Sequence, residues 1–569
     1  MNKPVYCYEK LRYGFFVHYV ADLTHCVGYM DGRKPQSYDE VADGFDVPGF
    51  AEALAQMQVE YLIFTSWHFR MIPLYPSEVT AKWRPDCCIR RDLLGEIIDA
   101  VRAKGIRVIL YTHPRDGHDF TGPERTNCGW SVGEQFQNSQ PDSKTFDYDK
   151  WNAYSLALYQ ELLDRYGTRI DAVYTDGAGP GGMDADNCVI AYQEPVINYL
   201  KIREIVKTAN PDLAIIQNGF GPIFSDDFIM PEAYFGMEHH LPVERWPACE
   251  KALAMTPFFG WVASDRYGED VSRFDPADIA RFTIFQASCS TGGGTCWASG
   301  PYCGGGWDVG VMETMREVGR HMTRIGEAAK NIVPSTSWPT VSGDSLKSRD
   351  YCFACSSENR RYEYIHIMRM PDNGVIHLPA PEDGAQFSCP RPMTPGMRIT
   401  DFKQDASGVS FCLCGTPDEL DTVVRLTREN NERSLTWYWL NDTDKRVCFS
   451  RGDWAYRHIG EMPYFDGETS IMEGCFEYDT RLSKRDGAYF DICFEGEYVE
   501  IYGVTGPEGC RARVVIDDVL AGEIDTHAPV RRVRQLLYRS PRLFGGIHRI
   551  CLYARGEGTL EFDAARIGG

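Results

Sequence analysis

The chain has 569 residues, with 59 Lys and Arg against 81 Asp and Glu, and a formal net charge of −22. At roughly 150 residues per domain, that length holds three to four domains. The acidic balance argues against a nucleic-acid partner, whose phosphates demand a Lys/Arg excess, and against an anionic membrane surface. The N-terminus, MNKPVYCYEKLRYGFF, has no apolar stretch leading to a small-residue cleavage site, and no run reaches the ~18 apolar residues of a membrane span. The 20 cysteines are far from the density of a small disulfide scaffold. Together these features read as a cytoplasmic protein with reduced thiols.

The first third alternates two hydrophobic periods. Tyr13–Tyr19 reads as a buried strand, 50–57 as a helix, Tyr61–Trp67 as a strand and Asp92–Lys104 as a helix. Arg107–His113 is the third strand, 151–166 a helix, and Asp171–Asp176 a strand ended by Gly177-Ala178-Gly179-Pro180. A helix over 196–207 follows Pro195, and Leu213–Gln217 is the next strand. Repeated βα units with near-continuous apolar strands predict a parallel sheet covered by helices. At about 330 residues of this pattern, a (β/α)8-like barrel is favoured over a doubly wound sheet, because no Gly-rich dinucleotide fingerprint follows the first strand. The pattern changes near Asn331–Pro334, and short strands (362–368, 374–378, 409–414, 422–426) predict a β-sandwich. A polar stretch, 428–434, reads as a linker, and short strands resume after it (498–502, 513–516, 550–553). The expected architecture is multidomain, α/β plus all-β: a catalytic barrel over 1–332, a β-sandwich over 333–430 and a second β-sandwich over 435–569.

In such a barrel, catalytic side chains project from the C-terminal ends of strands. His18, His68, His113 and Asp176 hold those positions. Asp176 at the tip of an apolar strand reads equally as a functional carboxylate or as the cap of the following turn, since Asp-Gly is a common turn pair. Among the acidic residues after the fifth strand, Glu232 stands out. Its Met-Pro-Glu-Ala-Tyr-Phe setting is apolar and aromatic, which raises a carboxyl pKa and suits a general acid, whereas Asp226 and Asp227 sit in a polar turn. Cys289, Cys296 and Cys303 lack the tight pair of a zinc site, and no metal is assigned.

Several of these segments resemble the α-L-fucosidases of glycoside hydrolase family twenty-nine. YGFFVHY (13–19) is similar to the family's opening strand, and TSWHFRMIPLYPS (65–77) to its segment with two adjacent histidines. DAVYTDG (171–177) is similar to the strand of the nucleophilic aspartate, and DFIMPEAY (227–234) to the segment of the acid/base glutamate. GGTCWASG (293–300) and DTVVRL (421–426) extend the collinear resemblance to about 427. It implies a retaining mechanism with Asp176 as nucleophile and Glu232 as general acid/base. It implies sugar contacts from His18 and His68, to which the strand-end reading adds Trp67, Tyr174, His113, Trp261 and Trp297 as candidates. The family's second adjacent histidine is Phe69 in this chain, its usual arginine is Phe220, and the tryptophan two before the nucleophile is Tyr174. Residues 498–518 and 536–548 resemble a galactose-binding-like β-sandwich, implying either a carbohydrate-binding module or a purely structural one.

The sequence therefore predicts an exo-acting retaining α-glycosidase for a terminal α-L-fucoside or related sugar, acting on an oligosaccharide or glycoconjugate without a cofactor. The alternatives are a shifted specificity, such as an α-galactoside, and an inactive carbohydrate-binding protein on the same scaffold. The net charge disfavours heavily sulfated or sialylated polyanions and suits a neutral sugar.

Overall fold

The computed structural model describes residues 12–114, 116–130, 147–176, 198–217, 228–229, 232–234, 251–254, 262–264, 267–268, 276–289, 295–330, 332–338, 352–357, 359–429, 437–442, 444, 446–458, 479–544 and 546–568. Its N-terminal part alternates strands and helices: β1 (Tyr13–Val17), α1 (Tyr38–Asp43), α2 (Val47–Met57), β2 (Tyr61–Trp67), α3 (Glu78–Trp83), α4 (Leu93–Arg102), β3 (Arg107–Thr112), α5 (Gly122–Cys128), α6 (Tyr148–Tyr166), β4 (Ala172–Thr175), α7 (Tyr199–Ala209) and β5 (Ala214–Gln217). Then come β6 (Phe228–Ile229), β7 (Glu232–Tyr234), β8 (Lys251–Ala254), α8 (Pro276–Cys289), β9 (Thr295–Ala298) and α9 (Val311–Ile325). Local chemistry sets the helix starts. Asp46, Asp92, Asp147 and Asn198 each accept a hydrogen bond from the backbone N–H three residues on, opening α2, α4, α6 and α7. These caps explain two shifts from the sequence expectation. The helix expected from 151 begins at Tyr148 behind Asp147, and the one expected from 196 begins at Tyr199 behind Asn198.

The nine strands form one parallel sheet in the order β6-β5-β4-β3-β2-β1-β9-β8-β7. Its two end strands, β6 and β7, are separated by only two residues of chain. Phe228–Ile229 pairs with β5, and Glu232–Tyr234 pairs with β8. One short stretch of chain thus joins both ends of the sheet, closing it into a ring of eight strand positions, the (β/α)8 pattern.

Alternation along each strand separates two cores. Phe15, Val17, Leu62, Phe64, Val108, Leu110, Val173 and Ile215 pack outward against the helices. Phe16, Tyr61, Ile63, Ile109, Tyr111, Ala172, Tyr174, Ile216 and Cys296 fill the interior of the ring.

A β-sandwich follows, from β10 (Ile332–Pro334), β11 (Cys352–Ser357), β12 (Tyr362–Ile367), β13 (Val375–Leu378), β14 (Phe387–Pro392), β15 (Arg398–Asp405), β16 (Gly408–Cys414) and β17 (Thr422–Arg428). A five-stranded sheet, β10-β11-β12-β17-β14, faces a three-stranded one, β13-β16-β15. Strand alternation gives the larger sheet two jobs. Ala354, Ile365 and Ile367 face the small sheet, while Phe353, Cys355, Tyr364 and Val423 join the outer core of the barrel. At that seam the fully buried His366 directs Nδ1 to Asp421 (2.7 Å) and Nε2 to the carbonyl of Ala328 (3.0 Å), with Cys355 Sγ 3.6 Å from Nε2.

The second sandwich comprises β18 (Trp437–Asn441), β19 (Val447–Phe449), β20 (Ala455–His458), β21 (Asp479–Ser483), β22 (Tyr489–Glu495), β23 (Tyr498–Thr505), β24 (Arg511–Ile516), β25 (Val519–Asp525), β26 (Arg532–Arg539), β27 (Ile547–Arg555) and β28 (Leu560–Gly568). These form a six-stranded and a five-stranded antiparallel sheet. They enclose their own core, which includes Phe490, Ile501, Val514, Leu552 and Phe562. Among the described residues, no helix is long and apolar enough to cross a membrane.

Candidate active site at the mouth of the barrel

Three strands end in the same way. On each, an inward aromatic residue is followed two positions later by a polar group: Phe16 then His18, Tyr111 then His113, Tyr174 then Asp176. A spacing of two keeps the pair on one face, so the polar groups cap the aromatic filling of the ring. Tyr111 stacks on Tyr174 with ring centroids 5.5 Å apart, and Phe16 meets both edge-on or tilted at 5.4 Å. His18 lies on Tyr111 at 4.4 Å.

β2 breaks the alternation, and the break matters. Tyr61 and Ile63 point inward, so strict alternation would bring position 67 inward too. The register of β2 against β3 instead shifts between Thr65 and Trp67. Such a bulge re-aims the residues beyond it. Trp67 turns to the helix layer, where it packs edge-on against Tyr159 of α6 at 5.2 Å, and His68 turns to the interior. There the His68 ring meets His18 edge-on at 5.0 Å and stacks on His113 at 4.9 Å and 10°.

This corrects part of the sequence expectation. Trp67 does not line the mouth: it is fully buried, and its Nε1–H donates to the His113 carbonyl (3.2 Å). Trp297 is also fully buried on the helix side and donates Nε1–H to Thr283 Oγ1 (2.8 Å). Both indoles are packing residues whose polar tips are engaged within the fold. Tyr174 lies beneath Asp176 in the interior. Trp261, Phe220, Asp226, Asp227 and Arg115 fall outside the described residues.

Asp176 is half-buried just beyond β4, its backbone N–H bonded to the Thr112 carbonyl (2.9 Å). Tyr111 Oη donates a hydrogen bond to Asp176 Oδ2. Burial, and then the charge of Asp176, push the Tyr111 phenol well above its ordinary range, so it stays a donor. The position of Glu232 follows from register. Thr175 pairs with Gln217, and Gln217 with Ile229. Asp176 is one residue past Thr175 and Glu232 three past Ile229. Asp176 thus lies one residue past β4, and Glu232 opens β7, whose backbone pairs with β8.

Two groups were not marked by the sequence reading. Tyr111 carried a signal, since it precedes His113 by two on an inward strand. Asp116 carried none, because it sits in the loop after β3, where a Pro-Arg-Asp segment reads as ordinary turn. It is fully buried, with Oδ2 2.6 Å from His68 Nδ1 and Oδ1 2.9 Å from His113 Nδ1. Burial by itself would raise the Asp116 carboxyl, but His113 and His68 outweigh it and hold the group well below the usual carboxylate range. For His18 the sign reverses. Burial first, then His68 and His113, push its pKa well below the ordinary imidazole value, with Asp116 opposing.

His68, His113 and Asp116 also form the one trio among the described residues whose ligand atoms cluster as a metal site would require. Their closest separations are hydrogen-bond lengths. A tetrahedral zinc ion, with donors at ~2.0–2.1 Å, would hold its ligand atoms more than ~3 Å apart. As arranged, the trio fits a carboxylate bridging two imidazole N–H groups.

The α-L-fucosidase family model matches residues 9–327, more than half of the chain and the whole barrel. No curated protein sequence matches it. Among solved structures, α-L-fucosidase isoenzyme 1 from Paenibacillus thiaminolyticus is similar over 75% of this chain and 99% of its own, with 19% identity and a TM-score of 0.54. The α-L-fucosidase from Vibrio sp. strain EJY3 is similar over 100% of this chain and 98% of its own, with 14% identity and a TM-score of 0.55, so its likeness extends through both sandwiches. A Bacteroides thetaiotaomicron α-L-fucosidase, trapped as a covalent intermediate with 2-fluoro-fucosyl fluoride in a glutamate-to-glutamine mutant, covers 75% of this chain and 96% of its own, with 15% identity and a TM-score of 0.52. At these identities the structures speak for the fold, and the family match speaks for the lineage: the chain belongs to the α-L-fucosidase family of glycoside hydrolases.

Proposed function

We propose that the barrel mouth is a retaining α-glycosidase centre for a terminal α-L-fucoside or a closely related neutral sugar, with Asp176 as nucleophile and Glu232 as general acid/base. The observation that carries this reading is the carboxylate of Asp176 at the tip of β4, oriented by the Tyr111 hydroxyl, with His18 against the same Tyr111 ring and His68 and His113 packed in series beside His18. In the first step an Asp176 oxygen attacks the anomeric carbon while the glycosidic C–O bond breaks. Glu232 gives its proton to the departing oxygen. In the second step Glu232 takes a proton from water, which attacks the same carbon and releases Asp176. A retaining pair requires carboxyl groups ~5–5.5 Å apart. The trapped covalent intermediate of the Bacteroides relative supports the same chemistry.

The environment of His68 favours a modified sugar preference within this reading. Phe69, in place of the family's second histidine, stacks face to face on His68 at 4.1 Å and 13°, and on its other face against His25 at 4.2 Å and 13°. Phe69, Arg70 and Met71 all adopt left-handed φ angles, 35°, 52° and 43°. Such a run is costly outside glycine and is held by its surroundings. A ring that donates no hydrogen bond thus occupies a hydrogen-bonding position, which selects against any hydroxyl read there. We further propose domain limits of 1–332, 333–430 and 435–569, with the last sandwich as an accessory carbohydrate-binding module.

The test is a panel of aryl α- and β-glycosides, including fucoside and galactoside, assayed with the parent enzyme and with Asp176→Ala and Glu232→Ala. Both substitutions are expected to lower turnover by about a thousandfold or more. Azide is expected to rescue Asp176→Ala with formation of an inverted glycosyl azide. Full activity in Asp176→Ala overturns the nucleophile assignment. Hydrolysis of no glycoside leaves the inactive carbohydrate-binding scaffold as the reading.

A further inference from the structure

We propose that Asp116 is a positioning residue that couples His68 and His113 into a paired reader of hydroxyl groups on the bound sugar. The inference rests on the glycosidase reading of the barrel mouth and adds to it a recognition unit assembled from two strands and a loop.

The geometry is specific. One fully buried carboxylate spends one oxygen on each imidazole, Oδ2 on His68 Nδ1 and Oδ1 on His113 Nδ1. A carboxylate only accepts hydrogen bonds, so each ring must carry its proton on Nδ1. In the neutral ring that leaves Nε2 as an acceptor. The same constraint acts on both rings at once, and they stack nearly parallel, 10° apart, with centroids 4.9 Å apart. Two acceptors set side by side by one carboxylate can each take a hydrogen bond from a hydroxyl of the same sugar.

Each ring is held from more than one side. Phe69 covers the face of His68 opposite His113, and His18 meets its edge. The His113 backbone is fixed by the Trp67 Nε1–H bond to its carbonyl. Trp67 thus serves the mouth from behind: it fixes the backbone from which His113 projects. Both histidine side chains keep a small exposed fraction, 9% for His68 and 12% for His113, whereas Asp116 keeps 1%. The rings reach the mouth while the carboxylate stays behind them. The low pKa of Asp116 agrees with a carboxylate that remains ionised throughout the working pH range. Fixing the tautomer of a ring from behind through its other nitrogen is a general device for setting what the ring presents in front.

The test has two arms. In the first, 15N-histidine-labelled protein is examined by long-range 1H–15N NMR. His68 and His113, assigned by single substitution, are expected in the Nδ1–H form. Asp116→Asn, which offers one acceptor and one donor, is expected to drive one of the two to the Nε2–H form. Free L-fucose, titrated into the parent protein, is expected to shift both Nε2 resonances. In the second arm, kcat and KM are measured for an aryl α-L-fucoside and its 2-, 3- and 4-deoxy analogues. Removing either hydroxyl read by the pair is expected to cost the parent enzyme about 10- to 100-fold in kcat/KM. In Asp116→Asn the same removals are expected to cost less than about 3-fold, with KM raised and kcat nearly kept. A merely structural Asp116 would lower activity on all four substrates alike and leave the deoxy penalties unchanged. That result, or an Nε2–H tautomer in the parent protein, overturns the proposal. Where Asp116→Asn does not fold, His113→Gln carries the same comparison and is expected to erase the penalty at one hydroxyl only. If no glycoside is hydrolysed the glycosidase reading fails, and the tautomer and fucose-titration results still decide the role of Asp116.

Discussion

Two buried histidine–aspartate assemblies lie among the described residues, and they differ in what lies beyond the ring. At the seam between barrel and sandwich, His366 is fully enclosed, with Nδ1 on Asp421 and Nε2 on the Ala328 carbonyl. Both nitrogens are consumed by the fold, and the neighbouring Cys355 gives Sγ–H to the same carbonyl at 3.4 Å. Sequence-separated Cys, His and Asp meet there in the order of a nucleophilic triad, but no side chain of the three is open to a substrate. At the barrel mouth, one aspartate is shared by two rings that keep a small exposed fraction. The lesson is that a His–Asp pair acquires its role from the second nitrogen. Where that atom meets a backbone carbonyl, the pair is a clasp. Where the rings keep some exposure at the strand ends of a barrel, as His68 and His113 do, the fold does not enclose them as it does His366.

The largest expected effect tests the clasp. His366→Ala removes one partner of a buried pair and leaves Asp421 without its ring, a change that typically costs ~3–5 kcal/mol. The barrel and the first sandwich share a core at this point, so the loss is expected in the unfolding transition that contains both. Urea unfolding followed by tryptophan fluorescence reads the shift, and turnover per folded molecule is expected to stay at the parent level. A variant of unchanged stability with reduced turnover would move His366 from clasp to site and dissolve the contrast.

The mouth is expected to respond the other way. Tyr111→Phe removes the hydroxyl that orients Asp176 and keeps the ring that stacks on Tyr174. A hydrogen bond to a charged group is worth ~1.5–3 kcal/mol, which corresponds to about a 10- to 100-fold loss in kcat/KM. Asp176 is half-buried, so water can solvate the freed oxygen and stability is expected to change little. Steady-state kinetics beside a thermal melt separate the two outcomes. Unaltered kinetics would mean that the tyrosine only fills the ring.

The two regions were unequally legible in the sequence, for physical reasons. The barrel announced itself because buried parallel strands are apolar on both faces, and Phe64, Leu110 and Val173 stand in such runs. His18, His113 and Asp176 were marked by their places at strand ends, where a barrel presents its polar groups. Trp67 was misplaced, because a bulge at Thr65/Trp67 reverses the alternation, and nothing in YLIFTSW marks it. Trp297 was misread because both faces of its strand are apolar, so composition could not tell the helix side from the interior. Asp116 and Asp421 were invisible for a shared reason. Each comes from a loop or strand end far along the chain from at least one partner, and only the folded topology brings the partners together. Sequence periodicity reports which way a strand faces, but it does not report what a loop carries across to it.

The smallest effect bears on His18, which belongs to the mouth by position and resembles the seam by burial. Its folded-state pKa lies well below the ordinary imidazole value, first because burial penalises the charged ring and then because His68 and His113 stand beside it. The unfolded chain takes up a proton at this residue near pH 6.5, and the folded chain does not. Below that pH the unfolded state therefore binds more protons, and stability falls as pH falls, by at most ~1.4 kcal/mol per pH unit for one proton. Above about pH 7 both states carry a neutral ring, and the residue adds no slope. Asp116 contributes in a separate window, because its folded pKa is also depressed. Its stabilisation is complete above the usual carboxylate range and is lost as the pH drops below that range toward the depressed folded pKa. Stability curves of the parent and of His18→Gln, measured by urea unfolding from pH 5 to 8, are therefore expected to run parallel above pH 7 and to converge or cross below 6.5, the parent having the steeper acid slope. Parallel curves throughout would mean that His18 protonates equally in both states. It would then be a solvated mouth residue, and the barrel would contain no counterpart to the enclosed ring at the seam.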